Sequence, residues 1–289
     1  MNLLNRIMKF HKTKMLFPEG KIKALTMSYD DGVTQDKRLI QIFNRHGIKG
    51  TFNLNSGSFG QQDEKIIKGV RVNHSHIPIK EIKEVYANHE VAIHTLTHAN
   101  LGELPKDTVI YEIIEDKKNL EELVGYPVRG MAYPFGSYNN DVLDALKQLN
   151  IEYSRTVKIH EKFHLPNDFI EWETTCHHGN KEIFNLAKKF VESNELSLFY
   201  IWGHSYEFDI NDNWKFIEKF CEVIGNNDKI WYATNIEIVD YVNAVKSLKF
   251  STTGSSVYNP SGQDVWISIN SNPYKISKGR IEKIDIVSL

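Results

Sequence analysis

Short β-prone apolar runs alternate with longer helical patterns along most of this chain, and no other feature of the sequence limits the fold as strongly. Strands are expected at 22–28, 50–55, 90–94, 128–133, 151–154, 169–172, 196–202 and 229–233. Helices are expected near 35–46, 79–88, 106–124, 139–149, 180–193, 211–224 and 235–246. Pro105-Lys106-Asp107 opens one helix and Asn139-Asn140-Asp141 another, both in keeping with helix-start chemistry. The alternation predicts an α/β fold with a parallel sheet, a distorted (β/α)7-8 TIM-like barrel. At 289 residues the chain has room for one barrel and an addition. Near residue 247 the composition turns to Ser, Thr, Gly and Asn, with short alternating stretches such as 265–269 and 281–287. The expected organisation is a barrel domain over 1–246 and a small β-rich C-terminal appendage over 247–289.

Composition narrows the function. Hydrophobic residues at 41% and charged residues at 25% exclude a disordered or collagen-like chain. Lys and Arg (35) against Asp and Glu (37) leave no bulk basic charge for nucleic acid or an anionic membrane. The two cysteines, Cys176 and Cys221, form no CxxC and suggest neither a disulfide framework nor a thiolate zinc site. No apolar run approaches the roughly 18 residues of a membrane span. Asn5, Arg6, Lys9, His11, Lys12 and Lys14 break any signal-peptide core. A cytoplasmic protein without membrane insertion is expected, and its oligomeric state is not readable.

Polar clusters follow four of the expected strands. In a parallel α/β barrel the carboxyl ends of the strands build one face, so these clusters should converge there. The first is Ser28-Tyr29-Asp30-Asp31-Gly32. Adjacent carboxylates repel unless one is protonated or a cation sits between them, although an Asp before a helix also serves as an N-cap. The second is His94-Thr95-Leu96-Thr97-His98, with two imidazoles four apart on one face of a helical turn, a workable spacing for one metal ion. The third runs from Arg129 to Tyr138, where Pro134 and Gly136 bracket Phe135 and can turn its backbone N–H outward; an ordinary turn has the same look. The fourth, Trp202-Gly203-His204-Ser205-Tyr206-Glu207, places a histidine at the end of a buried strand, where it can act as a general acid or simply hold a loop. A fifth segment, 171–178, mixes Glu171, Trp172 and Glu173 with Cys176, His177 and His178. A wall for a sugar ring or a structural role suits it better than a second metal site, because adjacent residues point apart on extended backbone.

In this order SYDDG, HTLTH, AYPFGSY, EWE and WGH resemble the motifs of the polysaccharide deacetylase family (NodB-homology domains, carbohydrate esterase family 4) over about residues 22–245. The resemblance implies a distorted (β/α) barrel that hydrolyses N-acetyl groups, sometimes O-acetyl or formyl groups, with one divalent metal ion. It implies Asp30 as general base, Asp31, His94 and His98 as metal ligands, the Phe135 N–H as oxyanion donor and His204 as general acid. Zinc is the default ion, with cobalt, nickel, manganese or iron compatible with the same ligands. The implied partner is an N-acetylated amino-sugar carbohydrate. Two departures stand out. Ala132 occupies the place of the family's usual Arg, leaving Arg129 as the nearest substitute, and Glu171 and Glu173 flank Trp172 where an Asp is usual. Either Glu, or more weakly Asp168, would then orient His204. Tyr133, Arg129, Trp172, Glu173, His178 and Glu207 are the candidates for binding substrate or orienting the catalytic groups. A C–N hydrolase of the same fold acting on a non-sugar amide or formamide, or a metal-stabilised glycan-binding module without catalysis, remain as alternatives.

Overall fold

The structure is a computed structural model that describes residues 13–284. In chain order its strands are β1 (Lys14–Leu16), β2 (Lys23–Asp30), β3 (Gly50–Leu54), β4 (Glu64–Ile67), β5 (Val70–Asn73), β6 (Glu90–Ile93), β7 (Gly130–Ala132), β8 (Tyr153–Ile159), β9 (Trp172–Thr174), β10 (Cys176–His177), β11 (Ser197–Gly203) and β12 (Ile230–Tyr232). Towards the C-terminus follow β13 (Lys249–Phe250), β14 (Ser256–Tyr258), β15 (Val265–Ile269), β16 (Asn272–Ile276) and β17 (Ile281–Lys283).

The central sheet runs β10-β11-β2-β3-β6-β7-β8-β9, with β12 beside the first residues of β2. Every pairing in it is parallel. Its two end strands, β9 and β10, are separated in sequence by Thr175 alone. Parallel strands need crossover connections, and helices supply most of them. Their ends follow from local chemistry. Lys106–Val124 starts after Pro105 and stops at Gly125, whose φ of 82° closes a left-handed cap onto Glu121 O. Asn139 caps Asn140–Gln148 through Val142 N–H, and Thr234 with Glu237 forms a capping box on Asn235–Lys246.

Seven of the eight expected strands are present; the one expected at 169–172 is displaced to Trp172–Thr174, because Asp168 accepts from Ile170 N–H and turns the chain before Trp172. The helix expected at 79–88 is reduced to a 3-10 turn, Ile79–Glu81, and one α-turn, Ile82–Val85. Only Ile82 and Tyr86 there are buried apolar anchors, while Ile79 lies exposed. The segment 94–98 is not helical: Thr95 and His98 take φ of 65° and 57°, which bends the chain sharply instead. The antiparallel hairpin β4–β5 was not expected.

β13, β14 and β17 form one small antiparallel sheet, and β15 and β16 another. The latter also takes in β1, with Lys14 opposite Ser268 and Leu16 opposite Trp266. Tyr241 ties the three parts together. Its hydroxyl donates to Leu16 O at 2.8 Å and accepts from Trp266 N–H at 2.9 Å. One apolar cluster joins Phe17, Leu198, Tyr200 and Tyr241 to Val265, Ile267 and Ile276. Both cysteines are buried and unbridged. Among the described residues no helix is long and apolar enough to cross a membrane.

Candidate metal centre and active site

The polar clusters meet at the carboxyl ends of parallel strands. Asp30 is the last residue of β2, His94 follows β6, Phe135 follows β7 closely, and His204 follows β11. They border a pocket of about 600 Å³, whose wall also includes Trp202, Tyr206 and the hairpin residues Lys65 and Ile67.

Asp31, His94 and His98 are close enough to hold one metal ion. Their hydrogen bonds support that arrangement. His94 Nδ1 lies 2.9 Å from Ala132 O. A carbonyl only accepts, so Nδ1 carries the proton and Nε2 presents a lone pair in the neutral ring. That Nε2 is 3.6 Å from Asp31 Oδ1, and His98 Nε2 is 3.5 Å from the same oxygen. Both spacings exceed a hydrogen bond, and the oxygen is buried without a donor. An unsatisfied buried anionic oxygen facing imidazole nitrogens is costly, and a cation among them removes the cost. Burial lowers the His98 pKa to about 4, so this ring is neutral near pH 7. Burial alone would raise the Asp31 pKa, yet the His74 side chain and the charge of His204 beside it pull it far below the usual range.

Asp30 is 2% exposed and stays ionised. Burial pushes its pKa up, but the Arg155 guanidinium, His94 and His204 more than offset this. Arg155 is fully buried, donates to Asp30 Oδ2, and stacks its guanidinium 4.5 Å from the centre of the Trp202 ring. Asn53 Nδ2 donates to Asp30 Oδ1 at 2.8 Å. His204 Nε2 stands 3.8 Å from Asp30 Oδ2, and its Nδ1 stands 3.7 Å from Glu207 Oε1. Burial would lower the His204 pKa, but Glu207, Asp31 and Asp30 raise it to about 9.

The backbone is strained where these groups meet. Asp31, Thr95, His98 and Phe135 all have positive φ, at 81°, 65°, 57° and 58°. Such conformations are uncommon outside glycine and are a genuine outlier for β-branched Thr95. Carboxylates of the helix Lys106–Val124 hold the His94–His98 loop in place. Asp116 accepts from His94 N–H at 3.1 Å, and Glu112 accepts from Thr97 N–H and Oγ1 at 2.9 and 2.8 Å. At Phe135, the turn's own bonds run from Gly136 N–H to Tyr133 O and from Ser137 N–H to Pro134 O. Neither uses the Phe135 N–H.

Several sequence candidates sit elsewhere. Asp31 caps no helix, since the helix Asp36–Arg45 begins after Gln35. Arg129 is bidentate to Asp240, at 2.8 and 2.7 Å, and bonds Glu152 before the start of β7, the opposite end of the sheet from the pocket. Arg155 takes the place beside Asp30. Trp172 is core rather than wall, packed edge-on against Tyr153, Phe169 and Tyr200. Glu173 points the opposite way along β9, Glu171 bonds the Tyr138 hydroxyl, and Asp168 accepts from Ile170 N–H. None of them meets His204; Glu207 does. Tyr133 borders the pocket, but its hydroxyl is committed to Ile170 O. His178 is buried beside Glu207.

Arg155, Asn53 and His74 escaped the sequence reading. A lone arginine in Tyr153-Ser154-Arg155-Thr156-Val157 needs a buried anion, which was the available signal. His74, just after β5, reaches 3.7 Å from Asp31 Oδ2. Only the unexpected hairpin brings it there.

Residues 18–154 match the family model described as polysaccharide deacetylase. A Bacillus subtilis (strain 168) protein, YxkH, provisionally named a polysaccharide deacetylase, is 23% identical over 139 residues, or 47% of this chain and 45% of that one. The match thus spans less than half of this curated relative. A solved structure from Mycobacterium smegmatis, provisionally described as a polysaccharide deacetylase, shares 17% identity at a TM-score of 0.58, over 80% of this chain and 93% of its own. That likeness is one of fold. A Streptococcus pyogenes deacetylase, PplD, solved with acetate, shares 22% identity at a TM-score of 0.39, over 46% of this chain and 55% of its own. The resemblance to the polysaccharide deacetylase family read from the motifs is thereby shown, together with the α/β fold and its parallel central sheet.

Proposed function

We propose that this chain is a metal-dependent hydrolase that removes N-acetyl groups from an amino-sugar glycan or its precursor. The observation that carries the reading is the donorless Asp31 oxygen facing His94 and His98, with a second ionised carboxylate, Asp30, beside it. The family match over residues 18–154 supports it. Asp31, His94 and His98 would hold the metal, zinc by default, since imidazole with carboxylate suits it and leaves positions open. When bound, a divalent ion there supplies Lewis-acid polarisation of the acyl carbonyl and acidifies water.

The chain's own groups account for the proton movements. Asp30, kept ionised by Arg155, accepts a proton from the attacking water. The Phe135 N–H, left out of its turn's bonds, donates to the oxyanion that develops on the carbonyl. His204, protonated at neutral pH, gives its proton to the departing amine nitrogen. Acetate and the free amine leave. In the same reading the sheet is a distorted barrel, because β9 and β10 at its two ends are halves of one run interrupted at Thr175. Residues 1–246 then form the barrel and 247–289 the appendage.

The test is acetate release from N-acetylated substrates ranging from monosaccharide and sugar nucleotide to oligomer. Each is run with zinc, cobalt or chelator, and with Asp30→Asn protein. Release that needs metal and vanishes in the variant is expected. Metal-loaded protein that releases acetate from none of them, but formate or amine from a formamide or non-sugar amide, would move the activity to another C–N bond. Glycan binding with no turnover of any amide would make the chain a binding module.

A further inference from the structure

On the far side of His204 from Asp30, the side chains of His177, His178 and Glu207 are near enough to one another to share a metal ion. His177 Nε2 and His178 Nε2 lie 3.0 and 2.9 Å from the same oxygen, Glu207 Oε2. Those distances suit hydrogen bonds, yet the oxygen is buried with no hydrogen-bond partner. What fails is direction: neither ring nitrogen aims at the oxygen. Ligands on neighbouring corners of a coordination shell stand in that relation. With bonds of about 2.0–2.2 Å to a common ion they sit roughly 3 Å apart, and each points at the ion rather than at the other. A buried anionic oxygen without a donor, beside imidazole nitrogens, is also what marks Asp31 Oδ1 as facing a cation.

His178 adds an independent observation. Its side chain is 3% exposed, and its Nδ1 is buried without a partner. Packing holds the ring instead. It is stacked between Tyr29 and Phe208, with centroids at 5.5 and 4.4 Å. A Cβ at Gly203 would fall 2.1 Å from Nδ1, so only glycine leaves room for the ring. Nε2 is thereby kept toward Glu207. Neighbouring residues of an extended strand point apart, and that expectation is corrected here: β10 ends at His177, and the His177 and His178 rings meet with centroids 4.4 Å apart.

We propose that His177, His178 and Glu207 form a second site for a zinc-like divalent cation, separate from Asp31, His94 and His98. Two imidazoles and one carboxylate suit zinc and leave a position for water. His204 stands between the two sites, with Nε2 3.8 Å from Asp30 Oδ2 and Nδ1 3.7 Å from Glu207 Oε1.

The surroundings make this the weaker site. Gly179 N–H donates to His177 Nδ1 at 3.1 Å. Coordination through Nε2 puts the ring proton on Nδ1 and displaces that bond, which lies at the surface where water replaces it. His178 Nδ1 then carries a proton with no acceptor, whereas His94 Nδ1 donates to Ala132 O. Ligands that lack such outer hydrogen bonds bind about 10- to 100-fold less tightly.

The test titrates zinc alone into metal-free protein by calorimetry. Unsubstituted protein should take up two equivalents, the second about 10- to 100-fold weaker and the first to leave on dialysis. His177→Ala, at a half-exposed ring, should take up one. Asp31→Asn should keep only the weaker equivalent. In proton–nitrogen spectra of protein with nitrogen-labelled histidine, zinc beyond one equivalent should shift the ring nitrogens of His177 and His178 and turn His177 from the Nε2–H to the Nδ1–H form. A single equivalent that Asp31→Asn abolishes overturns the second site. So does a second equivalent that survives both His177→Ala and Glu207→Gln, or ring resonances that excess zinc leaves unmoved. If the unsubstituted protein takes up one equivalent that Asp31→Asn keeps and His177→Ala loses, the Asp31 site and the hydrolase reading fall while this site stands.

Discussion

Asp30 remains ionised where burial alone would protonate it, because Arg155 is sealed in beside it. Such pairs contribute little net stability, but removing one partner leaves a buried charge alone. Arg155→Met should therefore lower unfolding stability by about 3–5 kcal/mol. Adding Asp30→Asn should restore much of the loss, whereas additive losses in urea unfolding would contradict the pairing. Asp31→Asn should abolish tight metal binding while the fold persists. Elemental analysis after dialysis reads this directly, and full metal content in the variant would remove Asp31 from the ligand set. The residues with motif-like spacing, Asp30, Asp31, His94, His98 and His204, were legible because chemistry at a strand end leaves polar residues after an apolar run. Arg155 and Glu207 were harder to read. An ion pair is defined by its partner across the sheet, and no local spacing announces it. Arg129 illustrates the converse, since its place near the motif suggested Asp30 and its strand end delivered it to Asp240.

At the scale of elements, β2, β6, β7 and β11 could be read because each is apolar and flanked by turn chemistry. The hairpin β4–β5 could not, because Glu64, Lys65, Ile66, Val70, Arg71 and Asn73 are all exposed and carry no burial pattern. The helix Lys106–Val124 conceals its role in another way. Glu112 and Asp116 share its buried face with Val109, Ile113 and Leu120, so its inward side mixes core with the carboxylates that anchor the His94 loop. The hairpin is a removable wall. Lys65 pairs with Val72, one repeat below the Ile67–Val70 pair that flanks Lys68-Gly69. Deleting Ile66, Ile67, Val70 and Arg71 moves the same two-residue turn down by one repeat. The shortened protein should melt within a few degrees of the parent, with KM raised for oligomers more than for monosaccharides. A KM unchanged across the series would mean that this wall touches no substrate.

At the scale of the whole molecule, Glu90 sets part of the pH response from the end of the sheet away from the pocket. Burial lifts its carboxyl pKa to about 7, despite hydrogen bonds from Ile236 N–H, Tyr153 and Thr51. Between about pH 4.5 and 7 the folded protein keeps a proton that the unfolded chain has lost. Stability therefore falls as pH rises through that window, by on the order of 3 kcal/mol in all. Glu90→Gln should be most destabilising near pH 5 and much less so near pH 8, measured by urea unfolding. An equal effect at both would show that Glu90 titrates normally. The apolar cluster that joins Phe17 and Tyr241 to Val265, Ile267 and Ile276 predicts a single calorimetric transition for residues 13–284. Two separate transitions would mark the C-terminal strands as an independent unit.

The antiparallel contact of β1 with β15 sets a timetable as well as a shape. Lys14 is translated ahead of its partner Ser268, which emerges from the ribosome about 250 residues later. At ordinary elongation rates that is a delay on the order of tens of seconds. The parallel sheet can assemble in the meantime, while Leu16 and Phe17 wait for their apolar neighbours. The seam between β1 and β15 therefore closes only after the strands of the parallel sheet have been made. A chain released early would carry a finished pocket and an open seam.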